Sequence, residues 1–254
     1  MTLQSARAST DNVCRILEWD SRFFGVRVAR MPDGALSHDG AQRANAWCEA
    51  ERVDCVYFLA DSDDAETVRV AERHGFAFVD VRVTLECSLE ARGAQGTDLP
   101  IRAAVPSDVP ALRSIATVAH TDSRFYFDPQ FPRERCDELY ATWIEQSCRG
   151  GADLTLVGVL DDGPCGYLTC HANESIGSIG LVGVAPAARG RGVGRALVDG
   201  ALAFFAAREV TRVRVVTQAR NVAAQALYQR HGFRTTAVQL WYHRWSRPVE
   251  SVAR

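Results

Sequence analysis

Between positions 189 and 195 the chain reads Arg-Gly-Arg-Gly-Val-Gly-Arg. This segment follows the apolar run "SIGLVGV" and Pro186, and it leads into the apolar-periodic "ALVDGALAFFAAR". Glycines let the backbone turn without Cβ obstruction and approach a ligand closely. A helix starting there offers amides that have no intrahelical partner and carry partial positive charge. Such a turn is suited to cradle a pyrophosphate. Arg189, Arg191 and Arg195 add charge at its rim. All 29 basic residues of the chain are arginine, which forks onto an anion through two N–H bonds. Taken alone, the pattern is equally a glycine-rich turn with solvated arginines. Two nucleotide-binding alternatives lack their residues. No G-K-[ST] marks a phosphate loop of the Walker type, and no acidic residue ends the following run "RVRVVT" to meet a ribose.

The surrounding pattern predicts the elements that hold this turn. "IRAAV" reads as a strand, and Pro106-Ser107-Asp108 opens a helix with Val109, Leu112, Ile115 and Ala116 on one face. A second helix runs from about Pro132 through Leu139, Trp143 and Ile144 to Gly150-Gly151. "LTLVGVL" and "CGYLTCH" flank Asp161-Asp162-Gly163-Pro164 as a hairpin. The strand "SIGLVGV", the glycine turn and its helix, the strand "RVRVVT", the helix "NVAAQALYQRHGF" and the strand "AVQLWYHRW" complete the order.

The first half repeats part of this plan. "FFGVRVARMP" ends at Pro32, a helix follows over 41–52, "VDCVYFLA" stands for "VRVVTQA", and a helix reaches "ERHGF" as its later counterpart reaches "QRHGF". Two strand-like runs, "FAFVDV" and "VTLECSL", close it. Pro32 to Gly75 spans 43 residues and Pro186 to Gly232 spans 46. After Pro32, however, the chain reads "DGALSHDGAQ", without the arginine and glycine spacing. Counted back from each RHGF, Tyr228 corresponds to Ala71 and Asn221 to Asp64. The Gly-rich, polar segment 90–100 reads as a linker. The expected organisation is a first half at 1–92 that keeps a scaffold without a site, followed by a working domain at 98–247.

The arrangement strand, R-x-x-G-x-G, helix, strand, N-x-x-A-x-x-x-Y-x-x-x-G-F resembles the GNAT acetyltransferase superfamily over residues 98–247. The resemblance implies an α/β fold with a mixed central sheet and flanking helices, here preceded by a degenerate partial copy. It implies acetyl-CoA as acyl donor without a metal. The pyrophosphate would lie on Arg189, Gly190, Arg191, Gly192, Val193, Gly194 and Arg195. The pantetheine arm would lie along the backbone of Leu181, Val182, Gly183 and Val184, with Asn221 contacting it. Tyr228 would protonate the departing thiolate; a phenol titrates near 10 and a thiol near 8.5, roughly 1.5 units apart. A tyrosine on the apolar face of a helix is otherwise a packing residue. His171 and Glu174 are candidates for a base, unless the amine sheds its proton to water.

Within the superfamily, "LEWDSRFFG", "DSRFYFDPQF" and "LYATWIEQSCRG" resemble members that acetylate the amino group of a dTDP-4-amino-4,6-dideoxy sugar. On that likeness Arg124 would meet the acceptor's diphosphate, and Phe125, Tyr126 or Phe127 would stack on its base. An aromatic-rich loop capping the core is the competing reading. Other amine acceptors, such as an antibiotic or a peptide N-terminus, and a non-catalytic acyl-CoA sensor are the alternatives. A homodimer is common in the family.

Bulk composition agrees with a globular enzyme. Hydrophobic residues make up 47% and charged residues 24%, and a net charge of -2 gives no reason to expect nucleic-acid or anionic-membrane binding. Eight cysteines show no C-x-x-C pair and no metal-ligand spacing. The opening residues have no apolar core of a signal peptide, and no apolar run reaches about 18 residues. A reducing cytoplasm is the expected setting.

Overall fold

The computed structural model describes residues 13–89, 99–161, 163–173 and 175–246. The chain begins with β1 (Arg15–Ile16), α1 (Glu18–Phe24), β2 (Val28–Arg30), α2 (His38–Ala50), β3 (Cys55–Asp61), α3 (Ala65–Arg73) and β4 (Ala77–Ser88). Then come β5 (Ile101–Ala103), α4 (Val109–Ala119), the short α5 (Arg124–Phe127) and α6 (Arg133–Gln146). Three strands follow, β6 (Leu154–Leu160), β7 (Gly163–Asn173) and β8 (Ile176–Val184). The chain ends with α7 (Val193–Ala206), β9 (Arg212–Gln218), α8 (Val222–Arg230) and β10 (Arg234–Trp245). No helix among the described residues is long and apolar enough to cross a membrane.

Two compact units form. The first gathers residues up to Arg82, Ser123–Arg135 and those from Val238 onward. Its sheet runs β1, β2, β3, β10: β1 and β2 pair antiparallel, β2 and β3 parallel, and Gln239–Trp245 of β10 run antiparallel to Asp61–Cys55 of β3. Six consecutive residues of β3, Cys55–Ala60, are buried, because both faces of this central strand are covered. Val56, Phe58 and Ala60 pack with Val70, Ala71, Phe76 and Tyr242 on one face. Tyr57, of opposite parity, meets Phe125, Phe131 and His243 on the other.

The second unit comprises Val83–Asp122 and Cys136–Ala237. Here β5, β6, β7 and β8 pair antiparallel in sequence, and β9 joins β8 in parallel. Successive residues of β7 face opposite layers. A Cβ on Gly166 would lie 2.9 Å from Val193 of α7, whereas the Tyr167 hydroxyl reaches His120, just past α4. The helix α7 buries Leu197, Val198, Ala201 and Phe205, a stripe at helical spacing. Gly177 of β8 lies under that stripe, where an added Cβ would stand 2.6 Å from the Phe205 ring.

The element order strand–helix–strand–helix–strand occurs at 28–88 and again at 176–245, each time with the first two strands parallel. Both final helices stop at a glycine with positive φ, Gly75 at 83° and Gly232 at 73°. Three expectations are corrected. "FAFVDV" and "VTLECSL" form one twelve-residue strand, β4, since no glycine or proline interrupts it and Val79, Val83, Leu85 and Cys87 are buried along it. The run "FFGVRVARMP", set against the strand before Pro186, is a strand only over Val28–Arg30, since Phe23 and Phe24 end α1, which Gly25 closes in the left-handed region. The units also do not divide at a single linker. Residues 123–135 and the end of β10 belong with the first unit, because β10 pairs with β3 and Asp128 bonds His243 and Trp245. Most of the expected linker, 90–98, lies outside the described residues.

Replacing Gly177 by Ala forces the Phe205 ring to move in a packed layer. We expect a loss of about 1–3 kcal/mol in urea-unfolding stability. Unchanged stability would show that Phe205 has free space beside it.

Candidate active site

The turn before α7 has the properties its sequence requires. Gly190 and Gly192 have φ of 77° and 84°, in the region that costs a residue with a Cβ about 1–2 kcal/mol. No side chain caps α7. The equivalent helix of the first unit, α2, has its start closed by Ser37, whose Oγ accepts from Gly40 N at 3.1 Å. The amides of Val193, Gly194 and Arg195 thus keep their donor capacity at a positive helix end. Arg189 donates to Val184 O at 3.4 Å, Arg191 stands 3.4 Å from Asp161, and Arg195 stands 3.7 Å from Asp199. These loose contacts leave the three cations at the rim. Gly194 also sets the turn against the last helix, since a Cβ there would touch Leu227 at 3.3 Å.

Strands β8 and β9 pair from Ile176–Ile179 against Arg212–Val215 and no further, although both run on to Val184 and Gln218. On its other side β8 is bulged. Leu168 pairs with Val182 but Cys170 with Ile179, and Leu181 N turns to the Thr169 hydroxyl at 2.8 Å. Consequently the backbone groups of 180–184 on the β9 side are not spent on β9, and an extended ligand can take them. The bulge sits on two glycines, with Gly180 under Thr169 and His171 and Gly183 under the Tyr167 ring. The residues present therefore fit an extended thioester ending in a diphosphate: an open strand edge leading to an uncapped helix start.

Asn221 is the N-cap of α8, its Oδ1 accepting from Ala224 N at 3.0 Å. Asp64 caps α3 at the matching position through Thr67 N. Helix capping accounts for one face of this amide, and its NH2 is the part that can reach a ligand. Tyr228 is buried and packs on Phe233, and its hydroxyl has no partner among the described residues. Burial pushes its phenol above the ordinary value. The transfer from a phenol near 10 to a thiolate near 8.5 is uphill by about 2 kcal/mol, and burial adds to that. Burial thus keeps the Tyr228 hydroxyl protonated.

His171 is half-buried, and burial lowers its imidazole below the usual value, so the ring is neutral near pH 7. Its Nε2 lies 2.9 Å from where a Gly180 Cβ would stand, which puts the ring over the bulge. Glu174 lies outside the described residues. On the same face, Tyr167 Oη and His120 Nε2 are 2.7 Å apart, and His120 stacks on Tyr140 at 4.3 Å. Sequence spacing offered no sign of this trio, which three separate elements supply. No cluster of three or more potential metal ligands occurs among the described residues.

Arg124, Phe125 and Tyr126 belong to the first unit. Phe125 is a correction: only 2% exposed, it packs against Phe24, Tyr57 and Phe131, so neither ring face can receive a base. Tyr126 is half-buried beside Arg133, and Phe127 is exposed. The Arg124 guanidinium lies over the rings of Tyr57, Phe125 and Trp241, and its Nε meets His243 Nε2 at 3.2 Å. His243 in turn faces Asp128 through Nδ1 at 2.6 Å. Arg124 can only donate, so His243 Nε2 is a lone-pair acceptor and the ring proton is on Nδ1. Burial, with Arg124 beside the ring, holds His243 down at about 4, against the attraction of Asp128.

The unfolded histidine binds a proton below about 6.5 and the folded one only below about 4. Stability is therefore complete above 6.5 and is lost as pH falls toward 4, by about 2 kcal/mol from His243 between pH 7 and 5. A His243→Asn variant should show a correspondingly shallower fall in urea-unfolding free energy over that range. Identical slopes in the two proteins would mean that His243 titrates normally.

Residues 118–233 match the family model described as Acetyltransferase (GNAT) family. The chain is 28% identical over 231 residues to the dTDP-fucosamine acetyltransferase of Escherichia coli, covering 90% of this chain and 96% of that protein. It is 27% identical over 199 residues to the mycothiol acetyltransferase of Renibacterium salmoninarum, with 76% of this chain and 56% of that one covered. The chain thus spans little more than half of this second relative. Among solved structures, the GCN5-related N-acetyltransferase from Sphaerobacter thermophilus shares the fold at a TM-score of 0.69 and 20% identity, over 92% of this chain and 76% of that one. Residues 118–233 thus carry an acetyltransferase domain of the GNAT family.

Proposed function

We propose that the chain transfers the acetyl group of acetyl-CoA to the amine of a small nucleotide-linked amino sugar, most closely a dTDP-4-amino-4,6-dideoxy sugar. The observation that carries the donor side is the open edge of β8 leading to the uncapped start of α7. Support for the acceptor comes from the dTDP-fucosamine acetyltransferase relative, which matches nearly the whole chain, first unit included. A cytosolic setting fits the eight cysteines, all of them free thiols.

Acetyl-CoA, when bound, supplies an activated acyl group. The amides of Val193, Gly194 and Arg195, with the arginines at 189, 191 and 195, hold its diphosphate. The backbone of Leu181–Val184 and the Asn221 amide hold its arm. As the N–C bond forms and the C–S bond breaks, the amine loses a proton and the sulfur gains one. His171, neutral and lying over the bulge, accepts the first in this reading. Tyr228 Oη carries the second and gives it to the sulfur as the C–S bond breaks. The mycothiol acetyltransferase relative supports a second reading, in which the acceptor is of the kind that enzyme takes.

Thiol release from acetyl-CoA against a panel of amines tests this. Turnover with the dTDP-4-amino sugar and none with its 4-hydroxy counterpart is expected. Turnover with other amines alone would overturn the acceptor. Tyr228→Phe should lower kcat at least about 100-fold with little change in KM for acetyl-CoA. A kcat within twofold of the parent would remove Tyr228 from the chemistry.

A further inference from the structure

Arg124 is held differently from Arg102 and Arg113. Arg113 spends its guanidinium on Glu138 and Glu145, and Arg102 places two nitrogens on Asp108 at 2.6 and 2.9 Å. These cations are neutralised where they stand. Arg124 is fixed without being neutralised. Its Nε is used by an uncharged imidazole, and neither Nη group has a hydrogen-bond or ion-pair partner among the described residues. Three aromatic faces hold the guanidinium plane at 4.2–4.8 Å, which orients the charge without cancelling it.

The nearby carboxylates are occupied elsewhere. Asp128 takes His243 Nδ1, Trp245 Nε1 at 2.9 Å and the Gln130 amide. Asp33 is engaged by Arg30 through both oxygens, and Arg30 lies 4.8 Å from the Trp241 ring. Asp20 feels Arg124, Arg30 and Arg15, yet burial outweighs them and raises its carboxyl above the usual range, so it opposes an anion less than an exposed carboxylate would. The Tyr57 hydroxyl is a buried polar atom with no partner in the same cluster. A forked donor with both prongs unspent, kept in place by a buried relay, is the arrangement that receives two oxygens of one anion.

We propose that the first unit carries a built receptor for the diphosphate of a nucleotide-linked acceptor, with Arg124 as the binding residue and Asp128, His243, Tyr57 and Trp241 as positioning residues. This rests on the acceptor reading given above and adds the group that recognises it. His243 touches no ligand. It fixes the Arg124 plane because Asp128 fixes its tautomer.

The test is equilibrium binding of dTDP to the full chain saturated with CoA, so that the donor cradle is closed to it, with thymidine as the phosphate-free control. Wild type should bind dTDP and not thymidine. Arg124→Gln should raise the dTDP dissociation constant at least roughly tenfold. Arg124→Lys, which keeps the charge and loses the fork, should not restore it. His243→Asn, checked for folding by its thermal transition, should weaken dTDP in the same sense. In turnover, the variants should raise KM for the dTDP-amino sugar and leave KM for acetyl-CoA unchanged. No dTDP binding by wild type, or equal binding by wild type and both Arg124 variants, overturns the receptor. If the dTDP-amino sugar is turned over with the same KM by Arg124→Gln, the receptor is wrong and the acceptor stands. If wild type acetylates only other amines, the acceptor reading itself fails.

Discussion

A parallel strand pair that stops hydrogen bonding halfway is the constraint on which the donor side rests. Backbone amides and carbonyls are obligatory hydrogen-bonding groups, and a strand edge left open inside a fold is costly unless something takes it. Here β8 leaves β9 after Ile179, while the bulge on its β7 side turns Leu181 N to Thr169. Glycines at 180 and 183 are required because Thr169, His171 and the Tyr167 ring lie where their Cβ atoms would be. The open edge then runs into Pro186 and the positive-φ glycines, and the helix begins without a cap. One run from β8 into α7 thus presents both an open strand edge and, at its end, a helix start with no side-chain cap.

Burial works in opposite senses on the two sides of the chemistry. Tyr228 loses acidity by being buried, which keeps its hydroxyl protonated. His171 and His243 lose basicity for the same reason, which keeps them uncharged. For His171 that means a lone pair free to accept a proton, and for His243 a lone pair given to Arg124. Desolvation alone does not decide what each lone pair meets. The partner does: His243 is enclosed by Asp128 and Arg124, whereas His171 lies over the bulge.

The repeated RHGF marks two helices that end alike and begin alike, with Asp64 and Asn221 both accepting from the amide three residues on. The resemblance implies a cofactor contact for Asn221, and its capping of α8 is a demand of the helix itself. The two segments differ upstream of these helices. At α2, Ser37 caps the helix by accepting from Gly40 N, and Thr67 accepts from Leu36 N just before it, whereas α7 starts with no side-chain cap.

The sequence by itself determined the elements around the cradle. Glycine spacing, caps and hydrophobic period are local properties, so β8, the turn, α7, β9 and α8 were legible from their own residues. The unbroken β4, the division of the chain into units and the burial of Phe125 were not. Each depends on what packs against the segment: Phe125 looked like an offered ring in "DSRFYFDPQF" and is a core residue because Phe24, Tyr57 and Phe131 close over it. Nor could the chain of Asp128, His243 and Arg124 be read, since its members stand up to 119 residues apart. Tertiary structure decided that relay because only β10, paired beside β3, brings His243 to the segment bearing Arg124 and Asp128.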